Sequence, residues 1–332
     1  MKSLDVGSLL NFTELPKYLR IVENELDKTL TTGNPYIRKP VLRLIKARSK
    51  RLRPSLLMAI INSQGKKINK NVIASCVAVE LVHLASLVHD DIIDNADTRW
   101  MVPTINAKEG SNYAIIIGDY LFAKANQVAA SVSVEVARII AQTIEELCDG
   151  EIREMADQYN VDRSIGSLMQ SIEGKTAALI SATTRIGGIC SGLPDKEIKS
   201  LDKYGRAFGV SFQLIDDVLD LLSSDELLGK PVGNDINEGV FTLPILLTTS
   251  GPDDHKIRSI LRDSQNLKNS AITDILLANG AIEKTIILAH EYNVLAVKEL
   301  INFTEDKVKI NLSALPKSYF DWAFGGLIDK KY

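Results

Sequence analysis

The sequence predicts an all-α fold, one large helical bundle around a central cavity. Three observations lead there. Long apolar runs free of proline follow one another along the chain. Turn signals separate them. No stretch sustains the apolar–polar alternation of a strand. The 332 residues are 45% apolar, enough for a sizeable core. A net charge of −3 gives no general attraction to nucleic acid or an anionic membrane.

The elements follow in chain order. The start, "MKSLDVGSLLNFTELPKYLR", lacks the apolar run of a signal peptide, and no stretch reaches the roughly 18 apolar residues of a membrane span. A soluble cytoplasmic protein is the expectation. Turns are marked by Gly33-Asn34-Pro35, Arg53-Pro54, Val102-Pro103, Leu193-Pro194 and Gly251-Pro252. Between them lie Val72 to Asp97, Asn112 to Val132, Ser133 to Tyr159, Met169 to Cys190 and Leu201 to Leu222, all too long for strands. Several are apolar over much of their circumference, as interior helices are, and a large bundle can hold a site between facing helices. One domain over residues 1–332 is the economical reading. A boundary near Gly251 is the alternative, because the last third carries few motifs. Cys76, Cys148 and Cys190 lie far apart without metal-ligand spacing and are expected to be reduced core residues.

The stretch "SLVHDDIIDNADTRWMVPT", Ser86 to Thr104, places Asp90, Asp91 and Asp94 inside an apolar helix, where unpaired carboxylates are costly to bury. A second cluster, "FQLIDDVLD", repeats the DDxxD spacing at Asp216, Asp217 and Asp220. Positions i and i+4 share a helix face, so each motif points carboxylates into one region. If the two helices face each other, the six acids need divalent cations between them. Hard oxygen donors with room for water and phosphate suit Mg²⁺, which points to a diphosphate substrate. Basic residues complete the set: Lys50, Arg51 and Arg53 in "ARSKRLRP", His83 about two turns before Asp90, Arg99, Lys175 beside Thr176, Gln213, and Lys230 in "GKPVGND". Cations are required for phosphates that the metals do not hold.

With these motifs the chain resembles the trans-isoprenyl diphosphate synthases of the polyprenyl synthetase family, of the medium- or long-chain type. The markers are "KRLRP", "HLASLVHDDIIDNADTR", Pro103-Thr104, "GDYL", "GKT", "FQLIDDVLD", and "GKPVGNDINEG" leading to "TLP", across roughly Leu44 to Pro244. The resemblance implies the all-α isoprenoid synthase fold, a homodimer or a heteromer, and a reaction. Mg²⁺ ions on Asp90, Asp94 and Asp216, with Asp91, Asp217 and Asp220 in support, bind an allylic diphosphate. Arg99 and Lys175 stabilise the departing pyrophosphate. Lys50, Arg53 and His83 hold isopentenyl diphosphate, and Thr176 and Gln213 face the developing cation.

Departures from the family pattern stand out. Arg99-Trp100-Met101 occupies the place of Arg-Arg-Gly, and an indole cannot replace a guanidinium on phosphate. One lost charge-assisted contact costs about 1.5–3 kcal/mol. Arg48-Ser49 replaces Gly-Gly, with Arg48 one compensating cation, and Val240 stands where short-chain members often place lysine. These departures support a second reading, a weakly active or regulatory subunit of a heteromeric synthase; a purely structural helical protein is a third. Product length is read from the turns before Asp90. Ala85 and Ser86 are small and Val82 is medium-sized, so the first turn below the metals is open. That predicts a product longer than farnesyl, from geranylgeranyl to heptaprenyl diphosphate.

Overall fold

The computed structural model describes residues 10, 12–31, 34–46, 51–222, 234–251, 254–262, 269–301, 303 and 306–328. Lys50, Lys230, Arg48 and Ser49 lie outside these residues. The helices are α1 (Leu15–Thr29), α2 (Pro35–Lys46), α3 (Leu52–Ser63), α4 (Lys70–Ile93), α5 (Ile105–Glu109), α6 (Ser111–Val132), α7 (Val134–Ala156) and α8 (Ile165–Ile172). A π-helical turn, Glu173–Ala177, leads into α9 (Ala178–Cys190) and the long α10 (Asp195–Leu222). Then follow α11 (Asn234–Asn237), α12 (Leu243–Thr249), α13 (Asp254–Arg262), α14 (Asn269–Ala278), α15 (Ala281–Glu299) and α16 (Asp306–Ile328). The all-α expectation holds.

Two helices organise the bundle. The side chain of Asn69 caps α4 by accepting from the backbone N–H groups of Asn71 and Val72, which satisfies donors a helix start leaves open. From there α4 is buried on nearly all sides and packs along α6. The other organiser is α10, which lies against α15 and α9. Among the described residues the buried apolar side chains fall into two clusters. One is centred on α4 and the other on α10. The acidic motifs thus ride on the central helix of each half.

Two expectations are corrected. Lys70–Ile93 is long and apolar enough to cross a membrane, contrary to the sequence reading, but 72% of its most apolar window is buried in the protein; it is a core helix. Among the described residues two short strands occur, Thr98–Arg99 and Val102–Pro103, paired antiparallel; two residues are too few to show alternation, so that expectation stands. Cys76 is buried, but Cys190 is half-buried beside Ser75 and Cys148 is exposed, because it falls on the outer face of α7.

The hairpin between the strands turns on Trp100 (φ 50°) and Met101 (φ 65°). Positive φ at both central residues is the type I′ pattern, which favours Asn and Gly. Arg43 of α2 anchors its far side, donating to the Pro103 carbonyl at 3.1 Å and pairing with Glu109 at 2.8 and 2.5 Å.

Candidate active site

Both acidic motifs sit at the carbonyl ends of their helices. Asp90 and Asp91 fill the last turn of α4 and Asp94 caps it. Asp216, Asp217 and Asp220 lie within the last two turns of α10. A helix C-terminus carries partial negative charge, so the backbone adds to the cost of these carboxylates. Burial pushes the Asp90 carboxyl up to about 7, with Lys175 and Arg99 opposing the rise and Glu151 and Asp94 adding to it. Burial raises Asp91 and Asp94 as well. It also holds Asp217 well above the ordinary carboxylate range, with Asp235 and Asp216 contributing repulsion.

A cavity of about 120 Å³ brings the two motifs together: Asp94 stands on one wall and Asp217 on another, with Lys175, Thr176, Gln213, Glu154, Asp235 and Glu238 between them. Leu168, Ile172 and Val240 supply apolar lining. The π-helical turn is what presents Lys175 and Thr176. A single wide turn re-aims the side chains of a helix and recurs at functional sites. It can lie close to α7 because glycines face each other there. A Cβ on Gly150 would stand 2.5 Å from the Lys175 backbone nitrogen, and one on Gly174 would stand 2.8 Å from the Gly150 Cα.

The six aspartates do not gather into one cluster. Among the described residues no group of three or more acidic, His or Cys side chains is drawn close enough to hold an ion. Like charges repel, and three of the carboxylates, Asp91, Asp216 and Asp217, each accept from a different donor. Asp91 is 1% exposed and accepts from Arg99 Nε at 2.6 Å. Asp217 accepts from Gln213 Nε2 at 2.8 Å, and Gln213 Oε1 in turn accepts from the Thr176 hydroxyl at 2.7 Å. Asp216 accepts from the Tyr319 hydroxyl at 2.7 Å. Asp220 is buried on α10.

The basic residues divide. Lys175 Nζ lies between Glu151 at 2.8 Å and Glu154 at 2.5 Å. Burial weakens its hold on the proton, but Glu154, Glu151 and Asp90 more than offset that, so the proton is held more firmly than in water. Arg53 and His83 form a second, half-buried group. Burial lowers the Arg53 guanidinium against the pull of Glu80 and Asp216. Burial, with Arg53, Arg99 and Arg51 nearby, holds His83 well below the usual imidazole range. Arg51 of the same basic motif is structural: it is buried, left-handed at φ 49°, and bonded to Glu80 at 2.7 Å and the Ile45 carbonyl at 3.1 Å. Val82 and Ala85 are fully buried in the α4 cluster and Ser86 is half-buried; none of the three lines the cavity described above.

Sequence reasoning missed Glu151, Glu154, Asp235, Glu238 and Tyr319. The i,i+3 pair in "GEIRE" and the acids after "GKPVG" were visible signals. Tyr319 gave none, since it lies 103 residues from Asp216.

A divalent cation fits this donor set. The donors are hard oxygens, burial penalises their negative charge, and Asp91 Oδ2 is buried without a hydrogen-bond partner.

The family model described as polyprenyl synthetase matches residues 34–277, a wider span than the motifs alone had covered. The chain is 34% identical to heptaprenyl diphosphate synthase component 2 of Bacillus subtilis, over 94% of this chain and 90% of that one. It is 36% identical to nonaprenyl diphosphate synthase of Mycobacterium tuberculosis, over 90% of both. A polyprenyl synthase from Caulobacter crescentus, solved with calcium and isoprenyl diphosphate, superposes with a TM-score of 0.88 at 27% identity, over 96% of this chain and 98% of that one.

Proposed function

The chain belongs to the polyprenyl synthetase family, and from that premise we propose that it condenses isopentenyl diphosphate with an allylic diphosphate to give an all-trans polyprenyl diphosphate longer than farnesyl. The observation that carries this reading is a cavity lined by one aspartate of each acidic motif, Asp94 and Asp217, with Lys175, Thr176 and Gln213. The relatives named for heptaprenyl and nonaprenyl products support the chain length, as do the small side chains of Ala85 and Ser86.

Mg²⁺, bound with the substrate, supplies the charge that makes the diphosphate a good leaving group. Asp90, Asp94 and Asp216 are the residues to hold it, with Asp91, Asp217 and Asp220 in support. The calcium and isoprenyl diphosphate found in the Caulobacter relative support a cation beside the substrate. Lys175 Nζ and the Arg99 guanidinium add fixed positive charge where the leaving oxygen develops its own negative charge. The allylic C1–O bond breaks, and the isopentenyl double bond supplies the electron pair for the new carbon–carbon bond. A proton then leaves the neighbouring carbon to the released pyrophosphate. Arg53 and His83 hold the isopentenyl diphosphate. The Thr176–Gln213–Asp217 chain of hydrogen bonds fixes which end of the Gln213 amide meets Thr176, so oxygen dipoles are set in place before the allylic cation forms. The apolar lining excludes water that would otherwise capture that cation.

We place the protein in the cytoplasm, with α4 as a core helix. The name of the Bacillus relative, component 2, favours a second reading in which this chain is one component of a two-component synthase. One experiment separates the two: purified protein with Mg²⁺, labelled isopentenyl diphosphate and, in turn, dimethylallyl, farnesyl and geranylgeranyl diphosphates, with products sized by chromatography. A metal-dependent ladder beyond farnesyl from this chain alone supports the first reading. No extension with any primer favours the second.

A further inference from the structure

Asp216 is gripped from outside its own helix. The Tyr319 hydroxyl of α16 donates to Asp216 Oδ1 at 2.7 Å, and Tyr319 is only 2% exposed. Its ring is wedged between Phe212 of α10, stacked at 4.7 Å and 17°, and Trp322 of α16, stacked at 5.5 Å and 27°. Phe208 meets it edge-on at 6.4 Å and 89°. Further bonds fix α16 to the bundle: Tyr204 donates to the Leu312 carbonyl at 2.8 Å, Asn311 donates to Ser63 at 3.0 Å, and Asn293 of α15 donates to the Pro316 carbonyl at 3.3 Å. The ring is therefore immobilised for one polar contact, made to the first aspartate of the second motif.

We propose that Tyr319 is a positioning residue of the synthase site: its hydroxyl fixes the Asp216 carboxylate in the orientation that receives the cation, and so couples docking of the C-terminal helix α16 to metal and diphosphate binding. The proposal rests on the reading of Asp216 as a metal ligand. Its physical basis is general. A ligating carboxylate that is free to rotate loses orientation entropy when it binds, and an outer partner that pre-sets it removes that loss. The packing role of the ring and the orienting role of the hydroxyl are separable. The stack satisfies the first without the oxygen, and a buried phenol is retained where its O–H has a partner.

The test uses the full chain, with Mn²⁺ as probe ion in the presence of inorganic pyrophosphate, read by electron paramagnetic resonance. Tyr319→Phe keeps the stack and removes the hydroxyl. Mn²⁺ half-saturation is expected to rise about 10- to 100-fold, with the far-UV circular dichroism unchanged. Trp322→Phe, which disturbs the stack and leaves the hydroxyl, is expected to bind Mn²⁺ as the unsubstituted protein does. In an Asp216→Asn background the further change Tyr319→Phe is expected to add nothing, since both act through one contact. The proposal is overturned by unaltered Mn²⁺ binding in Tyr319→Phe, by an equal loss in Trp322→Phe, or by additive losses in the double variant. If the unsubstituted protein binds no Mn²⁺ with pyrophosphate, the reading of the aspartates as metal ligands fails, and this inference with it.

Discussion

Gly150→Ala is a small change that should act on chemistry through geometry. The added Cβ would stand 2.5 Å from the Lys175 backbone nitrogen and 2.8 Å from the Gly174 carbonyl carbon. Both are backbone atoms, so no side chain can swing aside. Helix α7 and the π-helical turn must separate by about 0.9 Å to restore ordinary contact near 3.4 Å. Overpacking of this kind costs about 1–3 kcal/mol of stability. The larger effect is on Lys175 and Thr176, which ride on the displaced turn. A misplacement of about 1 Å at a reacting centre costs on the order of 100-fold in rate. The assay is kcat and KM for condensation of isopentenyl with farnesyl diphosphate, beside a thermal unfolding curve. The matched control is Gly166→Ala on α8, where the nearest atom to a new Cβ is Ser164 Oγ at 3.8 Å; it should be neutral or slightly stabilising. A folded Gly150→Ala protein with unchanged kcat would refute the claim that this helix crossing delivers Lys175 to the cavity.

Four further outcomes are expected. Trp100→Arg should lower the KM for isopentenyl diphosphate by about tenfold or more, the worth of one charge-assisted contact; Met101→Gly, at φ 65° and 82% exposed, should recover part of the roughly 1–2 kcal/mol that a side chain pays for a left-handed backbone, read as a rise in the unfolding midpoint. Exhaustive chelation should abolish condensation and Mg²⁺ should restore it, while the far-UV circular dichroism stays that of a helical bundle throughout; loss of the helical signal on chelation would refute a site borne by a preformed fold. His83, held neutral by burial and neighbouring guanidinium groups, should gain a proton when isopentenyl diphosphate arrives, because its lowered pKa rises once an anion offsets those cations; calorimetry at pH 6 in buffers of different ionisation enthalpy should show net proton uptake, absent in His83→Gln.

Much of this was legible in the residues. The runs ending at Asp94 and Asp220 are long, apolar and proline-free, and the repeated DDxxD spacing told that two such helices serve one site. The hairpin at Thr98–Pro103 was not legible, because a strand of two residues has no period. The π-helical turn was hidden for a related reason: one extra residue in a turn leaves composition and rough periodicity intact. Arg51 shows another limit. It sits in a basic motif, yet its left-handed backbone and its partner Glu80 make it a structural residue. Tyr319 was invisible because its partner is set by tertiary packing between helices distant in sequence. Glu151 and Glu154 stood in view as an i,i+3 pair, but such pairs are usually solvated faces, and only the glycine crossing turned this one inward.

The burial of α4 has a consequence for how the protein is made. Its 24 residues are as apolar as a membrane span, and they leave the ribosome before the helix that covers them. Residues 94–132, which complete α6, follow in about 2–8 s at ordinary synthesis rates. During that interval the nascent chain displays a bare apolar rod to every chaperone and lipid surface in reach. The seam between α4 and α6 therefore governs how much protein survives its own synthesis. Substitutions along it should show first as lost yield, in a protein whose remaining molecules turn over substrate normally.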